Sequence, residues 1–187
     1  MWIGVENAGW LPQSFGMIQW RILTLLLAVA VCGGCKKAAE PGPGPSLPTA
    51  AQPKLQTMKL WLGAEVMVAE LALTGEQQTA GMMFRTNLAE NAGMLFVFPV
   101  AHRASFWMKN CPLPLSAAYI DPEGVILEIH DLQPHKTNTV VASSERVQFV
   151  LETNQGWFGR HQVTPGMVVR TEHGSLMSLM ETVFGKR

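Results

Sequence analysis

The chain has 187 residues, 48% apolar and 15% charged, and is long enough to bury the core of one globular domain. Its 14 lysines and arginines balance its 14 aspartates and glutamates, so the formal net charge is zero. This balance excludes recruitment of nucleic acid, or of an anionic membrane surface, by bulk charge. We therefore expect no nucleic-acid partner.

The first 34 residues have the pattern of an export signal. An apolar run, residues 22–31, follows Arg21 and precedes the sequence CGGC. A membrane-spanning helix needs about 20 apolar residues, so this run suits a cleaved secretory signal better than a retained anchor. Residues 1–16 include two tryptophans, a proline and an acidic residue, which do not fit a signal, so we expect translation to start at Met17.

Cys35 is the predicted point of membrane attachment. The two glycines before it resemble a bacterial lipoprotein signal, in which small residues admit the peptidase and the cysteine thiol becomes lipidated. Cys32 is the alternative, although Val31 before it is bulky. Cleavage before Cys35 would leave Cys111 as the one free thiol, which excludes an intramolecular disulfide. The predicted location is the cell envelope, facing the periplasm. The two lysines that follow Cys35 indicate the outer membrane.

The lipidated cysteine and a proline-rich linker occupy residues 35–57 in this prediction. Residues 36–53 contain five prolines and two glycines without apolar periodicity, which is typical of an extended, semi-stiff spacer. A single β-rich globular domain is predicted from residue 58 to residue 187.

The first half of that domain alternates short strands with one helix. Apolar alternation predicts a hairpin over residues 58–69. Thr74 and Gln77 form a capping-box pattern, which predicts a helix from Gly75 to about Phe84. Residues 93–98 are apolar on both faces and predict a central strand, which Pro99 should end.

The second half adds a hairpin, further strands and a terminal helix. Residues 117–120 and 125–129 predict two strands joined by the type I turn Asp-Pro-Glu-Gly. Further predicted elements are a polar loop at 132–144, a strand at 147–152, a helical turn at 157–161, a strand at 167–170 and a helix at about 175–184. About seven short strands with two or three short helices predict a mainly β fold, either a curled sheet or a barrel.

Several ordered phrases of this domain resemble a known family. They are GMMFR ending at Arg85, GMLF ending at Phe96, FWMKN ending at Asn110, PL at 114–115, ID ending at Asp121, and VLE ending at Glu152 with Gly156-Trp157. In order and spacing they resemble the domain-of-unknown-function 192 (DUF192) family of exported bacterial and archaeal envelope proteins, over about residues 59–170. The resemblance implies a compact β-rich exported domain and implies no reaction.

Two positions depart from the pattern of the resembling family. Cys111 stands where the family usually has threonine, and Ser116 stands where it usually has aspartate. A neutral hydroxyl cannot replace an aspartate as a base or metal ligand. It can still accept the same backbone hydrogen bond, so a structural role would survive.

Four polar residues are the predicted ligand-binding set: Arg85, Lys109, Asn110 and Asp121. The resembling motifs contain them, and they lie at element ends where side chains could converge on a carboxylate or a sugar. The alternative is structural, with Arg85 paired to Asp121 or to Glu70.

Other residue types give weaker indications. His130, Asp131 and His135 lack the spacing of a metal site. Nine methionines after Cys35 suit copper(I), although core packing also explains them. Nothing beside Cys111 would activate its thiol. No cofactor, metal or catalytic residue is therefore predicted.

The sequence favours a non-enzymatic binding or interaction module for a small polar ligand or an envelope partner. One alternative is a hydrolase-like enzyme acting on an envelope carbohydrate or peptide, with Asp121 or Glu152 as acid/base. Another is a structural adaptor, which would expose a broad apolar patch and no polar cleft.

Overall fold

The computed structural model describes residues 47–185. The predicted signal peptide, Cys35 and the first part of the linker lie outside these residues. The described strands are β1 (Thr57–Leu62), β2 (Glu65–Ala72), β3 (Ala92–His102), β4 (Ser105–Phe106), β5 (Leu115–Ile120), β6 (Ile126–Leu132), β7 (Val140–Val141), β8 (Val147–Asn154), β9 (Val169–Thr171) and β10 (Gly174–Ser175). The described helices are α1 (Gly75–Ala80), α2 (Trp157–Arg160) and α3 (Leu176–Phe184).

Eight of these strands form one mixed sheet in the order β10-β9-β1-β2-β3-β8-β5-β6, and β4 pairs with β7 separately. The pairing of β2 with β3 is parallel, because the connection through α1 carries the chain back along the sheet. The other pairings are antiparallel. The predicted mainly β fold with a curled sheet is confirmed.

The sheet is open, so the barrel alternative is wrong. Its two edges do approach each other, since Val125 and Val168 form one isolated antiparallel bridge. The Ile126 N–H donates to Met167 O at 2.9 Å, and the Val169 N–H donates to Gly124 O at 2.8 Å. A few hydrogen bonds at one corner do not make the continuous ladder that a closed barrel needs.

Two buried clusters cover opposite faces of the sheet. Along β3, Leu95 and Val97 belong to the first cluster, whereas Met94 and Phe96 belong to the second. This alternation is the period-two geometry of a strand, and it explains why the predicted central strand is apolar on both faces. Helix α3 buries Leu176 and other apolar residues in the first cluster. Loops between strands cover the second.

Three predicted boundaries are corrected. Helix α1 ends at Ala80, because Gly81 takes a positive φ of 43° and residues 81–84 form turns. Strand β3 continues through Pro99 to His102, with an irregular register against β8 after Val97, which accommodates a residue that cannot donate to the ladder. The predicted polar loop contains the two-residue strand β7. The capping box of Thr74 and Gln77 is confirmed.

The end of the predicted linker is bound to the domain. The Gln52 side-chain amide donates to Gln77 O at 3.1 Å and to Gly81 O at 2.9 Å. The Leu55 N–H donates to a Glu70 carboxylate oxygen at 2.7 Å. Hydrogen bonds, which an apolar pattern does not reveal, therefore hold this segment in place.

Within residues 47–185, no helix combines the length and the apolar character that a membrane crossing requires.

Gly93 lets β3 and β8 pair closely, which gives a test of the fold. A Cβ at Gly93 would lie 2.6 Å from the backbone oxygen of Glu152. We expect Gly93→Ala to lower the free energy of unfolding by about 2 kcal/mol, because the backbone of a central strand cannot move aside. Urea denaturation measures this change.

Gly75→Ala is the matched control for that variant. A Cβ at Gly75 would meet nothing within 4 Å, at the first position of α1. Its effect should be neutral or stabilising by at most about 1 kcal/mol. Equal destabilisation by the two variants would contradict the assigned pairing of β3 with β8.

Candidate functional site

A small cleft lies over the second buried cluster. Its walls come from the end of α1 and the turns after it (78–83), from Phe96, from residues 106–109 and Cys111, from Leu115 and from Glu152. Its cavity volume is about 40 Å³, room for only a few water-sized groups.

Glu152 is the buried acidic group of this cleft. It lies on β8 between β3 and β5, opposite Met94 and Ala117, and is 4% exposed. Within the described residues, its carboxyl makes no hydrogen bond and no ion pair. Burial raises its pKa from the ordinary value of 4.5 to about 8.

The other buried polar side chains of β8 have partners. The Gln148 amide donates to Phe98 O at 3.1 Å, and the Thr153 hydroxyl donates to Ala92 O at 2.9 Å. Burying a polar group without a partner is costly, so Glu152 stands out on this strand. A buried, unpartnered carboxyl beside a cleft marks a candidate functional site.

Two further titratable groups near Glu152 are held neutral. Burial, and then the Glu152 carboxyl, raise the pKa of the Cys111 thiol to about 11, although a hydrogen bond to Leu113 O opposes the shift. Burial and the Glu152 carboxyl also raise the pKa of Tyr119, whose hydroxyl donates to Val140 O at 2.7 Å. Cys111 is therefore not an activated nucleophile.

Lys109 is the one predicted ligand-binding residue that lines this cleft. Its ammonium nitrogen lies 5.3 Å from the centroid of the Trp107 ring, a cation–π contact at the edge of the cleft. Trp107 is 39% exposed, so Lys109 extends along a solvent-facing ring.

Arg85 and Asn110 lie in two loops beside the cleft. Arg85 makes a bidentate ion pair with Glu70, with both N···O distances at 2.8 Å, so the Arg85–Glu70 structural alternative is the pairing observed. Asn110 takes the left-handed conformation, with φ of 57°, and its backbone oxygen accepts from the Phe84 N–H at 2.7 Å. That bond joins the two loops.

Asp121 does not join the other three residues. It follows β5, whereas Leu115 at the start of β5 lines the cleft, so about 20 Å of extended strand separate Asp121 from it. A carboxylate oxygen of Asp121 accepts from the Val125 N–H at 2.8 Å and stabilises the β5–β6 turn.

Ser116, where this chain departs from the pattern of the resembling family, makes a structural contact. Its hydroxyl donates to the Asp131 carboxylate, and its oxygen accepts from the Gly156 N–H at 2.9 Å. The backbone hydrogen bond expected to survive an aspartate-to-serine change is therefore present. Asp131 is held by this bond, and His130 contacts Glu128 at 2.9 Å.

The residues 47–185 contain no group of three or more histidine, cysteine, aspartate and glutamate side chains that could hold a metal ion. A larger, shallower depression of about 480 Å³ lies beside β1 and β9, lined by Trp61, Arg170 and neighbouring residues. It contains no buried unpartnered polar group, so we take the cleft at Glu152 as the candidate site.

Fold and site define a β-rich domain whose described residues form a small cleft that contains one carboxyl. The family model DUF192, described as Uncharacterized ACR, matches residues 59–171, and the chain belongs to this family. The resemblance to this family is thus confirmed. No curated protein matches the chain.

The solved structures that are similar to the chain include the following two. One, from Sinorhizobium meliloti 1021 and described as a proposed transcription regulator, is 32% identical with a TM-score of 0.61; the match covers 64% of this chain and 97% of that one. The other, from Novosphingobium aromaticivorans DSM 12444 and described as a protein of unknown function, is 31% identical with a TM-score of 0.59. That match covers 74% of this chain and 99% of the other.

The raised pKa of Glu152 makes stability depend on pH. The folded chain keeps this proton between pH 4.5 and about 8, where the unfolded chain has released it, so the contribution of Glu152 to stability falls as pH rises through that range. Glu152→Gln removes this dependence. We expect the free energy of unfolding of the variant, relative to that of the natural protein, to rise by a few kcal/mol from pH 5 to pH 8. Urea denaturation at each pH measures this difference.

Glu128→Gln is the control of opposite sign. Burial opposes the ionisation of Glu128, but hydrogen bonds from His130 and Ser143 outweigh it and lower its pKa. This variant should lose stability relative to the natural protein at neutral pH and recover it on acidification. If the stability of both variants, relative to the natural protein, changed with pH in the same direction, the assignment of Glu152 as a neutral buried carboxyl would be contradicted.

Proposed function

We propose that this protein is a non-enzymatic envelope lipoprotein whose β-rich domain binds a small polar ligand in the cleft at Glu152. The observation that carries the proposal is the buried carboxyl of Glu152, which no side chain or backbone group of the described residues satisfies. A ligand that donates a hydrogen bond or carries positive charge would supply the missing partner.

The residues beside the cleft support binding in different ways. Lys109 lies at its edge and can contact a ligand directly. Arg85 is engaged by Glu70, and the Arg85 N–H donates to Met82 O at 3.2 Å, so Arg85 supports the wall of the cleft. Asn110 holds the facing loop through its backbone. Asp121 is too distant to share this ligand.

Catalysis is the second candidate, and one observation favours it. A carboxyl with a pKa near 8 can donate a proton at neutral pH, as the hydrolase-like alternative requires. Hydrolysis of a glycosidic bond in the usual way needs a second carboxylate near the first. Glu152 is the one carboxyl that lines this cleft among the described residues, and Cys111 is neutral, so binding is the better supported function.

The transcription-regulator description belongs to the Sinorhizobium protein and does not extend to our proposal. The balanced charge of the chain offers no electrostatic support for binding DNA. An exported, lipid-anchored chain would also be separated from the DNA by the membrane.

Lipidation at Cys35 is the part of the proposal that concerns location. Mass spectrometry of the N-terminal peptide from the membrane fraction should show a chain that begins at acylated Cys35. Cys35→Ser should remove the modification and release the protein from membranes, whereas Cys32→Ser should not. An unmodified Cys35 in the membrane fraction would contradict the anchor.

Ligand binding can be tested through the carboxyl carbon of Glu152. We expect the ¹³C resonance of Glu152 in the labelled full chain to shift with at least one of three probe classes: small alkylammonium ions, neutral amides or metal ions. Glu152→Gln should weaken the binding of an alkylammonium or metal ion about tenfold or more, because such a cation pairs with the ionised carboxylate, which glutamine cannot supply.

Glu128→Gln should bind the same probe as the natural protein does. Failure of all three probe classes would contradict the proposed function. Turnover of peptidoglycan fragments by the natural protein, abolished in Glu152→Gln with the fold intact, would instead favour the enzyme.

A further inference from the structure

Sulfur atoms are concentrated around the cleft at Glu152. Met82, Met83, Met108 and Cys111 all line it. Each is at most 5% exposed, so their thioether and thiol groups are shielded from bulk water. Phe96 and Trp107 supply aromatic walls beside them.

Two turns present these sulfur residues to the same space. In the first, the Met83 N–H donates to Ala80 O at 2.9 Å, directly after the end of α1. In the second, the Cys111 N–H donates to Met108 O at 3.1 Å. The hydrogen bond from the Phe84 N–H to Asn110 O joins the two turns, so they form one framework.

The size of the cleft limits its occupant. Sites for organic ligands usually have cavity volumes of about 300–1,000 Å³. The volume here is about 40 Å³, which suits a single ion or a group of a few atoms.

The donor types select among ions. Thioethers and thiolates are soft ligands that favour copper(I), whereas zinc sites are built mainly from histidine, cysteine and carboxylate. No group of three or more such zinc-type ligands is present in residues 47–185. Methionine has three rotatable bonds, so its sulfur can move toward an ion without a change in the backbone.

Charge is the remaining requirement. A buried monovalent cation needs a nearby negative group, and thioethers carry no charge. Glu152 lines the cleft without a partner and can supply that charge by giving up its proton when the cation enters, whereas the Lys109 ammonium is held at the Trp107 ring.

We propose that the cleft is a copper(I) site in which the thioethers of Met82, Met83 and Met108 bind the ion and the Glu152 carboxylate balances its charge, while Cys111 stays a neutral thiol beside them. This inference rests on the proposed function of the same cleft and names the ligand class. The competing explanation is that these methionines only pack in the core and bind no ion. The experiment must distinguish these two explanations.

The test is an anaerobic competition in which the full chain withdraws copper(I) from bicinchoninate. All proteins carry Cys32→Ser and Cys35→Ser, so that the upstream thiols cannot bind copper. We expect one equivalent of copper(I) to bind. Met82→Leu and Met108→Leu should each weaken binding about tenfold or more, because each removes one thioether at nearly constant volume. Glu152→Gln should also weaken it.

Met67→Leu is the matched control, because Met67 is fully buried in the first cluster, away from the cleft. It should bind copper(I) with unchanged affinity. Circular dichroism checks each fold, and Met83→Leu replaces any variant that fails to fold. X-ray absorption of the complex should show sulfur neighbours.

Two results would overturn the site: no withdrawal of copper(I), or equal weakening by Met67→Leu. If copper(I) fails while an alkylammonium ion or an amide shifts the Glu152 resonance, the copper site is wrong and the binding function stands. If every probe fails, both are wrong.

Discussion

The structure depends on the burial of β8 on both faces of the sheet. This strand lies between β3 and β5, and residues 147–153 are all buried. On such a strand each polar side chain must find a partner within the protein or lose its hydration. Gln148 and Thr153 find backbone oxygens, and Glu152 does not. Its carboxyl instead lines the cleft, which is the candidate site.

The loops over the second cluster form the walls of the cleft that Glu152 lines. The Arg85–Glu70 pair fixes the segment 82–85 to β2, and the bond from the Phe84 N–H to Asn110 O joins that segment to the segment 108–111. Met82, Met83 and Met108 of these segments line the small cavity together with Glu152. The polar residues of the family motifs therefore act mainly on the shape of the cleft, whereas Glu152 and the sulfur atoms supply its chemistry.

The fold was largely predictable because local patterns carry it. Period-two alternation indicated the strands, the Thr74 capping box indicated α1, and the turn ending in Gly124 indicated the β5–β6 hairpin. The closure of the sheet was not predictable, since curvature depends on how distant strands twist and pair. The continuation of β3 through Pro99 depended likewise on the irregular pairing with β8.

The candidate site was only partly predictable. Lys109, Arg85 and Asn110 do lie near the cleft, because the motif order reflects loops that meet at one end of the sheet. Asp121 was grouped with them although β5 separates it from them, since a linear pattern contains no distances. Glu152 was considered only as an acid/base of the alternative enzyme, because a glutamate in a run of apolar residues does not reveal whether it has a partner.

The sequence alone determined the family, the mainly β class and the residue types available for chemistry, because these follow from local spacing and composition. The tertiary structure decided which residues share a space: it paired Arg85 with Glu70, assigned Asp121 to a turn, and brought Met82, Met108 and Glu152 to one cleft. Those contacts join positions up to 70 residues apart in the chain. Only packing in three dimensions sets them.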